Sequence, residues 1–289
     1  MSAICATWLL TQSTEKAGRA FFGASGVVNV PVLPWVCVSS LTGIGMPSVL
    51  AVIPARAGSK RLPGKNLKQI AGHSLIGWAV TAATTARLVD HVIVSSDSDE
   101  MLAEGIRYGA LPQKRPASLS QGENGSMDRA LTYVMEQCRW FHDLVVLLQP
   151  TVPGRRPGLV DECIERLIEA DADCSFSGRP LHFVWKRRTT HNGNGGGREY
   201  HQTNCHGRRI NRQDFVPADE RFEEDGAVFV CRAELLRDTG SRIGGRVEIV
   251  ANTQVVDIDT AADFAAAEAQ QRRQAGPPQL VMLDQRRLM

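Results

Sequence analysis

The chain has 289 residues, of which 43% are hydrophobic and 22% charged, a balance that excludes a disordered or fibrous protein. Its 33 Lys and Arg against 31 Asp and Glu give a net charge of +2, which lacks the clustered excess of a nucleic-acid coat or a polybasic membrane binder. Seven scattered cysteines without a C-x-x-C pair indicate reduced thiols in a cytoplasmic protein. No run of 18 apolar residues is present, so we expect no membrane-spanning helix.

The two ends of the chain differ from its centre. Residues 1–45 lack the basic start of a secretory signal, and Pro31 and Pro34 argue against a helix there. One hypothesis is that translation starts at Met46, which mass spectrometry of the native N-terminus would test; the alternative is a loosely packed arm. We expect a catalytic domain over 46–275 and a C-terminal tail over 276–289.

From residue 49 onward, short apolar runs alternate with helical patterns. The predicted strands cover 49–55, 91–96, 143–149, 226–231, 247–251 and 255–259. The predicted helices cover 74–86, 99–108, 127–141, 158–170 and 261–274. This order, with nearly continuous apolar strands, predicts an α/β fold whose mostly parallel sheet carries helices on both faces. In such sheets the ligand lies beyond the carboxyl ends of the strands.

A Gly- and Asn-rich stretch at 191–207 interrupts this alternation. It contains His191, His201 and His206, but their spacings of ten and five do not suit a metal site. We therefore predict a flexible surface loop there.

The first candidate for chemistry is the loop that follows the first predicted strand. It carries four cations within ten residues: Arg56, Lys60, Arg61 and Lys65. Gly58 and Gly64 allow backbone N–H groups to approach an anion, and a triphosphate requires this density of positive charge. The loop is not a Walker A sequence, because five residues separate the two glycines and Asn66 follows the last lysine. The alternative is a solvated basic loop.

The second candidate is the D-I-D sequence at 257–259. A strand over 255–259 would direct Asp257 and Asp259 to one face, where two carboxylates suit Mg²⁺ or Mn²⁺. The alternative is that Asp259 or Thr260 caps the following helix.

Polar residues also end two other predicted strands. Gln149 stands where the strand 143–149 ends and two prolines follow. Asp97 follows the strand 91–96, where it would cap the next helix or approach the metal.

Together these residues resemble the CMP-N-acylneuraminate cytidylyltransferases over about residues 49–264. The shared motifs are A-R-A-G-S-K-R-L-P-G-K-N (55–66), S-S-D (95–97), R-P-A (115–117), L-L-Q-P-T-x-P (147–153), R-Q-D (212–214), D-G-A-V-F-V (225–230) and D-I-D (257–259). The resemblance implies a Rossmann-like domain of the nucleotide-diphospho-sugar transferase type with a dimerisation and sugar-binding insert, here 182–222, and hence a homodimer. Members transfer CMP from CTP to the anomeric hydroxyl of an acidic nine-carbon keto-sugar and release pyrophosphate.

The resemblance also implies roles for the nucleotide site. Four residues of the first loop would hold the phosphates and ribose of CTP: Arg56, Lys60, Lys65 and Asn66. Arg56 and Lys65 would be catalytic. Arg115 and Ser126 would lie near the cytidine.

The remaining implied roles concern the sugar and the metal. Gln149 would contact the sugar acid, and Arg212 would pair with its carboxylate, as a guanidinium fork can. Asp257 and Asp259 would bind Mg²⁺ or Mn²⁺, with Asp259 or a metal-bound hydroxide helping to deprotonate the attacking hydroxyl.

Two departures from the family pattern leave the sugar open. Asp225-Gly226 stands where the family usually has Asn-Gly, and Val152 stands within T-V-P where the family has T-S-P. Because Asp225 adds negative charge near the expected site of an anionic sugar, the substrate could be N-acetylneuraminate, legionaminate, pseudaminate or a relative.

Three other functions compete with this interpretation. The first is a 3-deoxy-manno-octulosonate cytidylyltransferase, although L-L-Q-P-T and D-I-D favour the neuraminate side. The second is a sugar nucleotidyltransferase that uses another nucleotide, and the third is an inactive nucleotide-binding homologue. Nucleic acid is not expected as a partner, because the basic residues are local and lack interleaved aromatics.

Overall fold

The computed structural model describes residues 46–59, 61–120, 126–138, 140–181, 184–189, 198–202, 220–253 and 255–273. The predicted arm at 1–45 and the tail at 276–289 lie outside these ranges. Within the described part of the chain, no helix is long and apolar enough to cross a membrane.

Eleven strands and six α-helices occupy the described residues. The strands are β1 (Val49–Ala55), β2 (Gln69–Ile70), β3 (His73–Ser74), β4 (His91–Ser96), β5 (Leu111–Lys114), β6 (Leu144–Leu147), β7 (Cys174–Leu181), β8 (Trp185–Thr189), β9 (Arg198–Gln202), β10 (Arg221–Arg232) and β11 (Val247–Ala251). The helices are α1 (Leu75–Thr84), α2 (Asp99–Arg107), α3 (Met127–Gln137), α4 (Leu159–Glu169), α5 (Ala233–Thr239) and α6 (Ala261–Arg273).

Seven strands form the central sheet in the order β11-β7-β10-β6-β1-β4-β5. β1 pairs in parallel with both β4 and β6, whereas β10 runs antiparallel to β6 and β7. Every residue of β1 is buried, which explains why its sequence is one continuous apolar run. The predicted mostly parallel sheet is confirmed.

Helices cover both faces of this sheet. Ala51 and Ile53 of β1 belong to the core that α1, α2 and α4 complete, and Leu50 and Val52 belong to the core that α3 and α5 complete. Successive side chains of a strand point to opposite faces, so one apolar strand supplies two cores. The prediction of helices on both faces is therefore confirmed.

Three predicted elements differ from the structure. Residues 255–259 form no strand, because the backbone N–H of Ile258 donates to the carbonyl of Thr151 at 2.8 Å instead of to a sheet ladder. The helix predicted over 127–141 ends at Gln137, because Cys138 takes an extended conformation with ψ of 133°. Within the stretch predicted as a flexible loop, residues 198–202 form β9, which pairs antiparallel with β8.

Two histidines share a hydrogen bond near the amino end of β4. Nδ1 of His91 lies 3.0 Å from Nε2 of His142, and the ring of Trp140 stacks on His91 with centroids 4.8 Å apart. Burial, together with the neighbouring His91, lowers the pKa of His142 from 6.5 to about 4, although the charges of Asp90 and Asp143 oppose the shift. Burial also lowers the pKa of His91. Burial therefore disfavours the charged form of both rings.

The pH dependence of stability follows from this pair. Between pH 6.5 and about 4, the unfolded chain binds a proton at position 142 that the folded chain does not, so the free energy of unfolding falls as the pH drops. We expect a loss of about 1 to 3 kcal/mol over this window, measured by urea unfolding. His142→Gln should flatten the profile, and a wild-type stability independent of pH in this window would contradict the prediction.

Candidate active site

The carboxyl ends of three neighbouring strands form one edge of the sheet. Ala55 of β1 lies beside Ser96 of β4, and Val52 of β1 lies beside Leu147 of β6. The three predicted site segments follow these strands: the basic loop follows β1, Asp97 follows β4, and Gln149 follows β6. Parallel pairing thus gathers residues from distant parts of the chain.

Two polar contacts shape the basic loop. Oδ1 of Asp97 accepts the backbone N–H of Ala57 at 3.0 Å, while Ser98 occupies the N-cap of α2 without a side-chain capping bond. Asp97 therefore holds the loop rather than capping the helix. The amide of Asn66, only 5% exposed, donates to the carbonyl of Arg56 at 3.2 Å and folds the loop back on itself.

The cations of this loop meet the D-I-D segment. Nζ of Lys65 lies 2.6 Å from the carbonyl oxygen of Ile258 and 3.2 Å from Oδ1 of Asp259. Nη1 of Arg61 lies 2.7 Å from Oδ2 of the same aspartate. Residues almost two hundred positions apart in sequence are thus in direct contact.

Asp257 and Asp259 could hold a divalent cation. Partial removal from water raises the pKa of Asp257, and the charge of Asp259 raises it further, whereas a hydrogen bond from Thr151 and the charge of Lys65 oppose the rise. Repulsion between the two carboxylates is what a bound cation would relieve, and hard oxygen ligands suit Mg²⁺ or Mn²⁺. Because the described residues contain no cluster of three or more His, Cys, Asp or Glu able to bind a metal, phosphate oxygens and water would complete the shell.

Arg115 presents an unused donor beside the same edge. The residue is 4% exposed, and its Nε donates to Oγ of Ser120 at 3.1 Å, but its Nη1 has no hydrogen-bond partner among the described residues. Burial lowers the pKa of Arg115, an effect that the charge of Asp97 opposes. A buried guanidinium N–H without a partner costs free energy, so this atom is an open donor for a ligand acceptor.

Ser126 has a structural contact of its own. It is the exposed N-cap of α3, and its Oγ accepts the backbone N–H of Arg129 at 3.1 Å. Capping therefore accounts for a serine at this position.

The loop after β6 contains an arginine, Arg155, to which the sequence pattern gives no role. The partly buried Arg155 donates through Nη2 to the carbonyl of Gln149, through Nη1 to that of Val152 and through Nε to that of Ala227, each at 2.6 Å. Burial lowers its pKa to about 10. No pattern around Arg155 distinguishes it from a surface arginine, so only the tertiary contacts reveal it.

Two residues implied to bind substrate, Lys60 and Arg212, lie outside the described residues, as does most of the insert 182–222. Within the insert, the structure describes the β8–β9 pair.

Comparison with known proteins identifies the family. A family model described as "Cytidylyltransferase" matches residues 50–192. A CMP-N,N'-diacetyllegionaminic acid synthase of Legionella pneumophila is 30% identical over 227 residues, which cover 76% of this chain and 94% of that protein. The chain belongs to the CMP-N-acylneuraminate cytidylyltransferase family.

One further relative supports the family, and one solved structure shows the fold. An N-acylneuraminate cytidylyltransferase A of Danio rerio is 30% identical over 224 residues, 76% of this chain, but the match spans only 50% of that longer protein. A solved structure of CMP:2-keto-3-deoxy-manno-octonic acid synthetase complexed with CTP superposes with a TM-score of 0.59 at 18% identity, over 78% of this chain and 99% of that one. The second match establishes the shared fold.

The departure from the family at Asp225 has a structural explanation. One carboxylate oxygen accepts from Oγ of Ser177 at 2.6 Å and from the backbone N–H of Ala227 at 2.8 Å. The other accepts from Nδ2 of Asn252 at 2.7 Å. The negative charge is thus engaged in hydrogen bonds within the protein.

Gly226, which follows this aspartate, provides a test of the site geometry. Its φ of 73° is strained for other residues, and a Cβ there would lie 3.4 Å from Cγ2 of Val152 and 3.6 Å from Nε2 of Gln149. We expect Gly226→Ala to cost about 1 kcal/mol of stability because of its positive φ, and to lower cytidylyltransferase turnover because the added methyl group would lie in van der Waals contact with the Gln149 amide.

Gly240 supplies the matched control, because it has a similar φ of 67° but nothing within 4 Å of a Cβ. Gly240→Ala should lose similar stability in urea unfolding and keep wild-type turnover. Equal turnover in the two variants would contradict a role for the Gln149–Gly226 contact.

Proposed function

We propose that the protein transfers CMP from CTP to the anomeric hydroxyl of an N-acylneuraminate-type nonulosonic acid and releases pyrophosphate, with Mg²⁺ or Mn²⁺ bound. The observation that carries this proposal is the meeting of Lys65 and Arg61 with Asp259 at the carboxyl edge of the sheet. It joins a cationic loop able to hold a triphosphate to carboxylates able to hold its metal ion. We further propose that the enzyme acts in the cytoplasm as a homodimer; the free thiols of its described cysteines agree with that compartment.

The reaction needs positioning more than covalent chemistry. The sugar hydroxyl oxygen forms a bond to the α-phosphorus of CTP, the bond from that phosphorus to the bridging oxygen breaks, and pyrophosphate leaves. Arg56, Lys60 and Lys65 hold the phosphates in line and offset the charge that develops on the departing oxygens. A carboxylate oxygen of Asp259 accepts the hydroxyl proton.

The metal ion would be held by Asp257 and Asp259 together with phosphate oxygens. When bound, it neutralises phosphate charge. The raised pKa of Asp257 makes this carboxylate respond to a nearby cation, because a positive charge favours its ionised form.

Substrate recognition falls to the flanking segments. Nη1 of Arg115, which has no partner among the described residues, would bind an acceptor on the cytidine beside Ser126, while Asn66 would bind the phosphates and ribose. Gln149 would contact the sugar, and Arg212 would pair with its carboxylate. Ser177 and Asn252 hold the Asp225 carboxylate in hydrogen bonds, and the relatives at 30% identity include a legionaminate-type and a neuraminate-type enzyme, so we propose a nonulosonic acid of that group as the sugar.

A lysine pair in the first loop tests the phosphate assignment. Lys65→Met should lower kcat/KM by at least about a hundredfold, because one charge-assisted contact to the transition state is lost. Lys68→Met, three residues further along on an exposed position, should keep wild-type kinetics. Turnover of Lys65→Met within a few-fold of wild type would show that this lysine does not act on the phosphates.

The substrate panel separates the competing functions. Pyrophosphate release is measured with CTP, ATP or UTP, with Mg²⁺, against N-acetylneuraminate, legionaminate, pseudaminate and 3-deoxy-manno-octulosonate. We expect release with CTP and a nine-carbon acid only. Preference for the eight-carbon acid would favour a 3-deoxy-manno-octulosonate cytidylyltransferase. No pyrophosphate release with any sugar would favour an inactive homologue.

A further inference from the structure

Arg155 joins two segments that border the proposed sugar site. Its guanidinium donates to the carbonyls of Gln149 and Val152 in the loop after β6 and to the carbonyl of Ala227 in β10. These are the segments in which the Gln149 side chain and Gly226 face each other. The three N–H groups used lie in one plane with fixed spacing, so a bound Arg155 sets the distance between both backbones.

The second feature of Arg155 is its charge. The charges of Asp225 and Asp257 favour its protonated form against the effect of burial. Asp225 also accepts the backbone N–H of Ala227, while the carbonyl of the same residue accepts from Arg155. Ala227 is therefore held on one side by an anion and on the other by a cation.

This arrangement suggests why an aspartate can stand beside an anionic substrate. A carboxylate in partly dry surroundings repels another anion over several ångströms unless a cation compensates it. Arg155 and Asp225 bind the carbonyl and the N–H of the same residue, Ala227, and the charge of Asp225 favours the protonated form of Arg155 by raising its pKa against burial. Arg156, the next residue, instead pairs with Glu162 of α4.

We propose that Arg155 is a positioning residue for the acidic sugar: it clamps the Gln149 loop to β10 and offsets the charge of Asp225. The inference rests on the proposed function, since it concerns the sugar subsite of that reaction. It assigns to Arg155 an effect on the sugar and none on CTP.

Steady-state kinetics with each substrate varied in turn tests the clamp. Arg155→Met should raise the KM for the acidic sugar about tenfold and leave the KM for CTP within about twofold. Arg155→Lys should recover part of the loss, because it keeps the charge but cannot reach three carbonyls. Arg156→Met is the matched control and should behave as wild type.

A purely structural role would give a different pattern. The thermal midpoint would fall, and the KM values for CTP and sugar would change together or not at all. If Arg155→Lys, which keeps the positive charge, shows a lower thermal midpoint without a selective rise in the KM for sugar, the proposal is overturned.

The charge compensation is tested separately by a double-mutant cycle. In the Arg155→Met background, Asp225→Asn removes the uncompensated carboxylate. We expect the double variant to bind the sugar several-fold better than Arg155→Met alone. A double variant equal to or worse than Arg155→Met would overturn the compensation.

A binding measurement separates failure of the proposed reaction from failure of the Arg155 proposal. Calorimetric titration of CTP into wild type and variants reports nucleotide binding without turnover. Wild-type enzyme that binds CTP but releases no pyrophosphate with any acidic sugar would overturn the proposed function, and the sugar role of Arg155 with it. If the wild type is active but Arg155→Lys changes the KM values for sugar and CTP equally or not at all, the Arg155 proposal alone would be overturned.

Discussion

The parallel pairing of β1 with β4 and β6 is the constraint on which the site depends. Parallel neighbours end at the same edge, so the segments that leave them must share that edge. The register of this pairing is fixed because both faces of β1 are buried under helices, and a shift in register would expose apolar side chains. Stability and chemistry therefore use the same strands at different positions: apolar residues along their length and polar residues just after their ends.

The ionic contacts at this edge contribute more to function than to stability. The side chains of Arg61 and Asp259 are 71% and 51% exposed, and pairs of this kind add about 0 to 1 kcal/mol. Lys65 is different, since it is 13% exposed and also donates to a backbone carbonyl. Without nucleotide, Asp259 supplies a counter-charge for both cations, and phosphate oxygens would compete for the same ammonium and guanidinium groups. Arg155 differs from these residues, because its guanidinium donates to three backbone carbonyls and so holds two backbone segments together.

Much of the sheet was predictable because local pattern and tertiary environment agree. β4 and β11 have the predicted boundaries, and α1, α2 and α4 differ from prediction by one or two residues at their ends. Prediction failed where a segment's environment is set by distant residues. The run 255–259 has the alternation of a strand, but the backbone N–H of Ile258 donates to the loop carbonyl of Thr151 instead of to another strand. Likewise, a glycine-rich stretch did not reveal that 198–202 pairs with β8.

By itself the sequence determined the type of protein: buried strands alternating with helices, a cationic loop after the first strand and two spaced aspartates near the end. These features are local, because periodicity and residue type carry them. Only the tertiary structure decided how they combine. It placed Lys65 against Asp259 and left Nη1 of Arg115 without a partner among the described residues. It also engaged Asp225 in three hydrogen bonds and placed three backbone carbonyls around the guanidinium of Arg155. Such contacts join residues far apart in the chain, and the distance between two such residues is set by the packing of strands and helices rather than by either residue's neighbours.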